Sequence, residues 1–337
     1  MSVYAILNNW GEERVNLVEQ SFKQLDQVIE KWVEETDGTY FDGLIEVLHI
    51  VLSESEDKTN EDDLVTEVKK LNLESLEKEQ IRKIIEFATL KGLKDGVQTQ
   101  HLITPDIIAS YMVYLIEKLV PKTNTLRLFD LVSGSGNLLT AVVNQLTRSV
   151  QAYGSEVDPS LIELSMLSAN AQKTTIEFFH QDSLQPFLLD PVDVVIADLP
   201  VGYYPDDIRA KSFKVHVSDE HTYAHHLLIE QGLKYTKEAG FLLFVIPNAL
   251  FNSDQAHKLR ELLNETAHVV ALLQLPPTIF RSEKDAKSLF VLQKKGDNTK
   301  APKEALIAQL PSLKDTQAMQ NVVAKMNQWF EQTDYSN

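Results

Sequence analysis

The stretch Asp193-Val-Val-Ile-Ala-Asp-Leu-Pro-Val-Gly-Tyr-Tyr-Pro205 sets the fold. A run of β-branched and small apolar residues of this length predicts a strand buried on both faces of a parallel sheet. It ends on a carboxylate, Asp198, and breaks at once into Leu199-Pro200-Val201-Gly202. Pro200 locks φ and Gly202 permits φ > 0, so the strand gives way to a turn. In an open α/β sheet, ligands bind where such strands end. Asp198 and the Leu199 carbonyl are therefore expected to accept hydrogen bonds from a planar amino group, with Tyr203 or Tyr204 close enough to stack on its ring. The competing possibility is an ordinary strand exit with two incidental tyrosines, and the rest of the chain weighs against it.

From Leu126 onward, short apolar runs alternate with amphipathic ones, the pattern of a parallel sheet with crossover helices. Strands are expected near 126–132, 151–157, 175–181, 192–198, 240–246, 268–275 and 288–294. Helices are expected near 137–148, 160–171, 222–238, 254–265 and 317–331. The first strand runs into Asp130-Leu-Val-Ser-Gly-Ser-Gly-Asn137. Gly134 and Gly136, on either side of Ser135, let the backbone approach a ligand, and the following helix offers unpaired N–H groups. Such a loop suits a dinucleotide, a nucleoside or only a tight turn; Leu139 stands where the dinucleotide fingerprint has its third glycine. The second strand ends on Glu156, about 20 residues on, where a carboxylate can accept both ribose hydroxyls. The third ends at Gln181-Asp182-Ser183, where an acid can accept from an adenine amino group. Four successive strands thus finish on Asp130, Glu156, Asp182 and Asp198, an order that random surface acids rarely produce.

Upstream, Thr104-Pro105-Asp106 leads into Ile107, Ile108, Tyr111, Met112, Leu115, Ile116 and Leu119. This predicts a helix with Thr104 as N-cap and Pro105 at its first position, ending near Pro121. Residues 12–95 read as helical, with Val15, Val18, Phe22, Leu25, Val28, Ile29 and Trp32 at three- and four-residue steps. The acidic segment 53–63 lacks the turn glycine of a calcium loop and reads as a helix connection. Lys91-Gly-Leu-Lys-Asp-Gly96 reads as a hinge. The expected organisation is a helical domain over 1–95, serving as scaffold or interaction surface, and an α/β domain over 96–337.

The chain has 337 residues, a net charge of −17 and no cysteine. Disulfides and thiolate metal sites are excluded. No apolar run approaches the roughly 18 residues of a membrane span, and Met1-Ser-Val-Tyr-Ala-Ile-Leu7 lacks the pattern of a signal peptide; a cytoplasmic protein without a membrane partner is expected. Residues 1–100 hold 22 acids against 11 bases, leaving a net of −6 for the rest. A chain this acidic repels phosphate, so alone it should bind duplex DNA weakly, on the order of 10⁻⁴ M or looser. His216, His221, His225 and His226 cluster near the start of a predicted helix, but no acidic signature accompanies them and no metal is expected. Arg281, Lys284, Lys287, Lys294, Lys295, Lys300 and Lys303 form the one stretch of basic excess; it faces phosphates or forms a solvated hairpin and tail.

In this order the motifs resemble those of class I S-adenosylmethionine-dependent methyltransferases. Within that class the chain resembles the N6-adenine DNA methylases related to type I modification subunits, and especially the YtxK-like group. The likeness runs over roughly residues 95–295. Leu102-Ile-Thr-Pro105 resembles the motif whose threonine, here Thr104, approaches the cofactor carboxylate. Asp130 to Gly136, with Gly134 and Ser135, resembles the loop for the methionine part; Glu156 matches the ribose acid, and Asp182, followed by Ser183, the adenine acid. Gly240-Phe-Leu-Leu-Phe-Val-Ile-Pro-Asn248 and Leu275-Pro-Pro-Thr-Ile-Phe280 resemble later sheet motifs. The family's catalytic motif is Asn or Asp, Pro, Pro, aromatic; here it is Asp198-Leu199-Pro200-Val201, with Tyr203 or Tyr204 left to take over stacking, and Ile103 stands where an aromatic is frequent.

The resemblance implies a doubly wound, seven-stranded α/β sheet with its last strand antiparallel, behind an N-terminal helical domain. It implies S-adenosyl-L-methionine as cofactor and methyl transfer to an exocyclic amine, N6 of adenine in DNA, which a duplex must flip out to present. Alternatives are an RNA or a glutamine side chain as acceptor, or a non-catalytic cofactor-binding interaction protein. No target-recognition domain is evident, so a protein partner is expected to supply sequence specificity.

Overall fold

The computed structural model describes residues 12–53, 63–95, 103–122, 125–280, 282, 285–312 and 315–333. Its apolar runs form β1 (Thr125–Asp130), β2 (Ser149–Glu156), β3 (Ile176–His180), β4 (Val192–Asp198), β5 (Thr236–Pro247), β6 (Ala267–Gln274), β7 (Lys287–Lys294) and β8 (Leu306–Gln309). They join in one sheet, ordered β3-β2-β1-β4-β5-β7-β6-β8. Strands β1 to β5 run parallel, and β7 is inserted antiparallel between β5 and β6. The doubly wound sheet and antiparallel strand are as expected. The strand count is not: eight among the described residues, not seven, because β8 pairs in parallel with β6 at the edge. Four residues, with Ile307 largely exposed, are too short and too one-sided to announce a strand by alternation.

The helices are α1 (Glu12–Thr36), α2 (Tyr40–Leu52), α3 (Asp63–Lys69), α4 (Lys78–Asp95), α5 (Asp106–Leu119), α6 (Asn137–Gln145), α7 (Pro159–Ala171), α8 (Asp207–Ala210), α9 (Ala224–Tyr235), α10 (Ala256–Thr266) and α11 (Thr316–Gln332). Side chains alternate across the central strands, as a period of two requires. Leu128 and Ile196 pack with α5, α6 and α11 on one face; Phe129, Val195 and Ala197 pack with α9 and α10 on the other. Strand order reverses between β1 and β4, so the crevice outside their carboxyl ends is the switch point where this sheet opens to a ligand.

The N-terminal helices do not enclose their own core. Leu25, Ile29, Leu44, Leu48 and Ile84 share one apolar cluster with Leu164 and Leu167 of α7. The hinge expected at 91–96 is absent over the residues described there: α4 continues through Gly92 to Asp95, and Gly96 lies outside the described residues. Gly92 serves packing instead, since a Cβ there would stand 3.2 Å from the Tyr40 ring. The acidic connection is described only at its two ends.

Arg82 of α4 is 2% exposed and ties this helical part to the crevice. Its guanidinium donates to Glu79, to Glu86 at 3.0 Å, to both oxygens of Asp106 at 2.9 and 3.0 Å, and to Asn137 Oδ1 at 2.9 Å. Asp106 opens α5 and Asn137 opens α6, so one side chain fixes both helices that start beside the predicted site.

Candidate active site

Asp130 ends β1 wholly buried. Its Oδ1 accepts from the Val132 N–H at 3.1 Å, and Oδ2 has no partner. Burial pushes its pKa up to about 8, with the charges of Glu156 and Asp198 adding to the shift. The chain then turns through Gly134 and Gly136 with φ of 54° and 75°, a left-handed conformation that favours glycine. A Cβ on Gly134 would meet nothing within 4 Å, so the loop has an open side; at Gly136 it would press on Ser165 at 3.1 Å.

The next strand end braces this loop. Glu156 Oε2 accepts from the Gly134 N–H at 2.9 Å, and Oε1 accepts from Val157 and Asp158 N–H at 2.9 and 3.0 Å. Asp182 accepts from the Leu184 N–H at 2.9 Å and, through Oδ2, from the Tyr204 hydroxyl. Ser183 turns inward, donating to the Leu131 carbonyl beside Ser155 Oγ.

Asp198 has both oxygens engaged. Lys287 Nζ stands 2.6 Å from Oδ1, and Thr104 Oγ1 donates to Oδ2 at 2.9 Å. Thr104 is therefore not an N-cap: Pro105 occupies that position without a side-chain bond, freeing the hydroxyl to cross to β4. Leu199 is buried and its N–H donates to the Val245 carbonyl at 3.1 Å, while Pro200 and Val201 are exposed.

The two tyrosines separate. Tyr204 is 8% exposed, its ring in the core and its hydroxyl on Asp182, and burial raises its pKa above the usual phenol range. Tyr203 is 52% exposed and lies on Tyr223, centroids 4.7 Å apart and planes within 10°. Tyr223 in turn stacks on His225 at 5.1 Å. Burial pulls His225 down to about 4 and His226 to about 3, so both are neutral at pH 7. His216 faces Thr222 and His221 faces Asp207. Among the described residues no three His, Cys, Asp or Glu side chains gather to hold a metal.

Part of the basic stretch folds back on the protein, while Lys300 and Lys303 are exposed. Lys287 meets Asp198, Lys294 donates to the Thr236 carbonyl and Lys295 to the Asn264 carbonyl, each at 2.7 Å or less. Arg281 and Lys284, and Leu102 of the threonine-proline motif, lie outside the described residues. The role of Lys287 and the stacking of Tyr223 were missed from sequence. A signal for Lys287 existed: the first residue of an antiparallel strand lands at the edge where its parallel neighbours end, here opposite Pro247.

This geometry has clear relatives. A family model described as N-6 DNA Methylase matches residues 79–333, and one described as the YtxK N-terminal helical domain matches residues 19–93. YtxK of Bacillus subtilis (strain 168), a protein named as uncharacterized, is 41% identical over 265 residues, covering 78% of this chain and 80% of its own. A crystal structure from Listeria monocytogenes, titled as a candidate class I S-adenosylmethionine-dependent methyltransferase, superposes with a TM-score of 0.87 at 36% identity, covering 94% of this chain and 99% of that one. The methyltransferase subunit of a type I restriction-modification system from Streptococcus thermophilus shares the fold, with a TM-score of 0.60 at 13% identity over 94% of this chain and 86% of that one. Its sequence and its fold agree: the chain belongs to the N-6 DNA methylase family and carries the class I methyltransferase fold.

Proposed function

We propose that the chain is an S-adenosylmethionine-dependent N-methyltransferase whose acceptor is the exocyclic amine of adenine in nucleic acid, DNA first. The observation that carries this is the row of acids at or just past the carboxyl ends of β1 to β4, which are Asp130, Glu156, Asp182 and Asp198 in chain order, at the switch point of the sheet. The residues fit the cofactor. The unpartnered Asp130 Oδ2 suits the ammonium of the methionine part, beside the open side of Gly134, Ser135 and Gly136. Glu156 suits the ribose and Asp182 the adenine, while the Thr104 hydroxyl, expected to meet the cofactor carboxylate, spends its one proton on Asp198. When bound, S-adenosylmethionine supplies an electrophilic methyl group on a sulfonium.

The chain's own part is alignment and charge. Asp198 and the Leu199 carbonyl hold the amine with its lone pair toward the methyl group, and the carboxylate offsets the positive charge that develops on nitrogen. Tyr203, backed by Tyr223, offers a flat face to the base; this favours a nucleobase over a glutamine side chain. Tyr204 supports Asp182 instead. Residues 1–95 form the helical domain and 96–337 the methyltransferase domain. The net charge of −17 supports weak DNA binding by the chain alone and a protein partner for target recognition in the cytoplasm. The test is transfer of labelled methyl to DNA, RNA and protein fractions of the host, comparing wild type with Asp198→Ala.

Cofactor binding should release a proton. Folded, Asp130 keeps its proton up to about pH 8; unfolded, it ionises near 3.9. The folded state thus holds an extra proton across that window, and the stability associated with this group is lost as pH rises through it. A cationic ligand favours the ionised form, so affinity should rise with pH, by up to about tenfold per unit below pH 8. Calorimetry in buffers of different ionisation enthalpy reads the proton directly. Asp130→Asn should bind more weakly and without that release, and Gly136→Arg should abolish binding. A release that survives in Asp130→Asn would assign the proton elsewhere.

Tyr203→Ala and Tyr204→Ala should fail differently. Base–aromatic stacking is worth about 1–3 kcal/mol, so Tyr203→Ala should lose roughly 5- to 150-fold in transfer efficiency with cofactor affinity unchanged. Tyr204→Ala should weaken the cofactor, because Asp182 loses its hydroxyl partner. Equal behaviour of the two variants would end this division of roles.

A further inference from the structure

Lys287 enters the crevice because β7 runs against its neighbours. It pairs with Pro247 on β5, two residues past Val245, the partner of Asp198. Its ammonium sits 2.6 Å from Asp198 Oδ1, with side-chain exposures of 26% for the lysine and 18% for the aspartate. Among the described residues this is its one ion pair. Thr104 holds the other oxygen. The carboxylate that should receive an amine is therefore already capped by a cation.

A neutral amine displacing it from Oδ1 would replace an ion pair with a bond charged on one side only and strand the ammonium in a half-buried crevice, which is unfavourable. A substrate that brings an anion solves both problems. The lysine stem has four rotatable carbons, so the ammonium can swing onto a nearby phosphate while Thr104 keeps the carboxylate oriented. Resting on the methyl-transfer site proposed above, we propose that Lys287 is a specificity-determining residue: it caps Asp198 and is drawn off by a substrate phosphate. The preferred acceptor is then a nucleotide unit within a phosphate-bearing strand, and a nucleoside or an uncharged side-chain amide is disfavoured by the cap.

Binding reads this without turnover. Full-length protein, loaded with S-adenosylhomocysteine, is titrated with deoxyadenosine and with its monophosphate by calorimetry. Wild type should prefer the nucleotide by about tenfold or more, the scale of one charge-assisted contact. Lys287→Met should bind the nucleoside tighter and the nucleotide weaker, erasing the preference; Lys287→Arg should keep it. Unchanged thermal unfolding and S-adenosylhomocysteine affinity show that the variants are folded. An unaltered preference in Lys287→Met overturns the proposal, as does failure of wild type to bind either ligand at millimolar concentration. Loss of the nucleotide with no gain for the nucleoside also overturns it, making Lys287 a phosphate contact that caps nothing. So does tighter cofactor-product binding by Lys287→Met, which would make the ammonium a stand-in for the cofactor's own cation. If the preference behaves as expected but no transfer depends on Asp198, the catalytic assignment falls and the nucleotide site stands.

Discussion

Asp198→Ala should lower single-turnover methyl transfer by about 10²- to 10³-fold, the usual cost of removing one preorganised partner from an atom that gains charge in the transition state. Two features of the site set this size. The carboxylate stands at the end of β4, where Thr104 keeps one oxygen oriented when Lys287 leaves the other, so it needs little reorganisation itself. The nitrogen becomes positive as it takes the methyl group, and a fixed negative charge beside it offsets that. Asp198→Asn keeps an acceptor and should lose less, while cofactor affinity should change little in either variant. The readout is label incorporated per active site within one turnover. Wild-type rates in Asp198→Ala would move the chemistry away from β4, and a wild type that labels no fraction would leave a cofactor-binding protein.

Much of this site was legible because strand ends are legible. The run Val192–Asp198 could be placed as a buried parallel strand from composition alone, and a carboxylate at its end had to face the crevice. The same logic located Asp130, Glu156 and Asp182. What failed was everything carried by chain crossings. Thr104 looked like an N-cap by local grammar, yet its hydroxyl reaches Asp198, 94 residues away, because tertiary geometry outranks a capping preference. Tyr203 and Tyr204 were indistinguishable in sequence, since adjacent residues differ only in the side of the turn they take. Their roles came apart once Tyr203 paired with Tyr223 and Tyr204 reached Asp182. β8 escaped because its two apolar neighbours, Leu306 buried and Ile307 exposed, carry no alternating signal in sequence.

Arg82→Met should destabilise the protein by about 3–5 kcal/mol, the cost of breaking a buried ion cluster from one side. Burial by itself would lower the Arg82 pKa, but the Asp106 and Glu79 carboxylates outweigh it and hold the guanidinium above its ordinary range. Without it, Glu86 and Asp106 share the neighbouring Lys83, which reaches them at 2.9 and 2.6 Å, and Glu79 keeps the Asn144 amide at 3.0 Å. Lysine at 82 would keep a charge but not the fork that grips Asp106 with two bonds, so Arg82→Lys should fall between the two. Asp106 gives the sign of the pH dependence. Although burial raises it, Arg82 pulls its pKa below the ordinary carboxylate range, so its contribution is present above the unfolded pKa and is lost as pH falls through the folded one. The gap between wild type and Arg82→Met should therefore be full at pH 7 and shrink below about pH 4. Cofactor binding should weaken along with stability, since Asp106 lies two residues from Thr104 and Asn137 follows Gly136. Denaturant unfolding and calorimetry on the same preparations test both. A variant as stable as wild type, with unchanged affinity, would show that α4 merely leans on the crevice and does not hold it in shape.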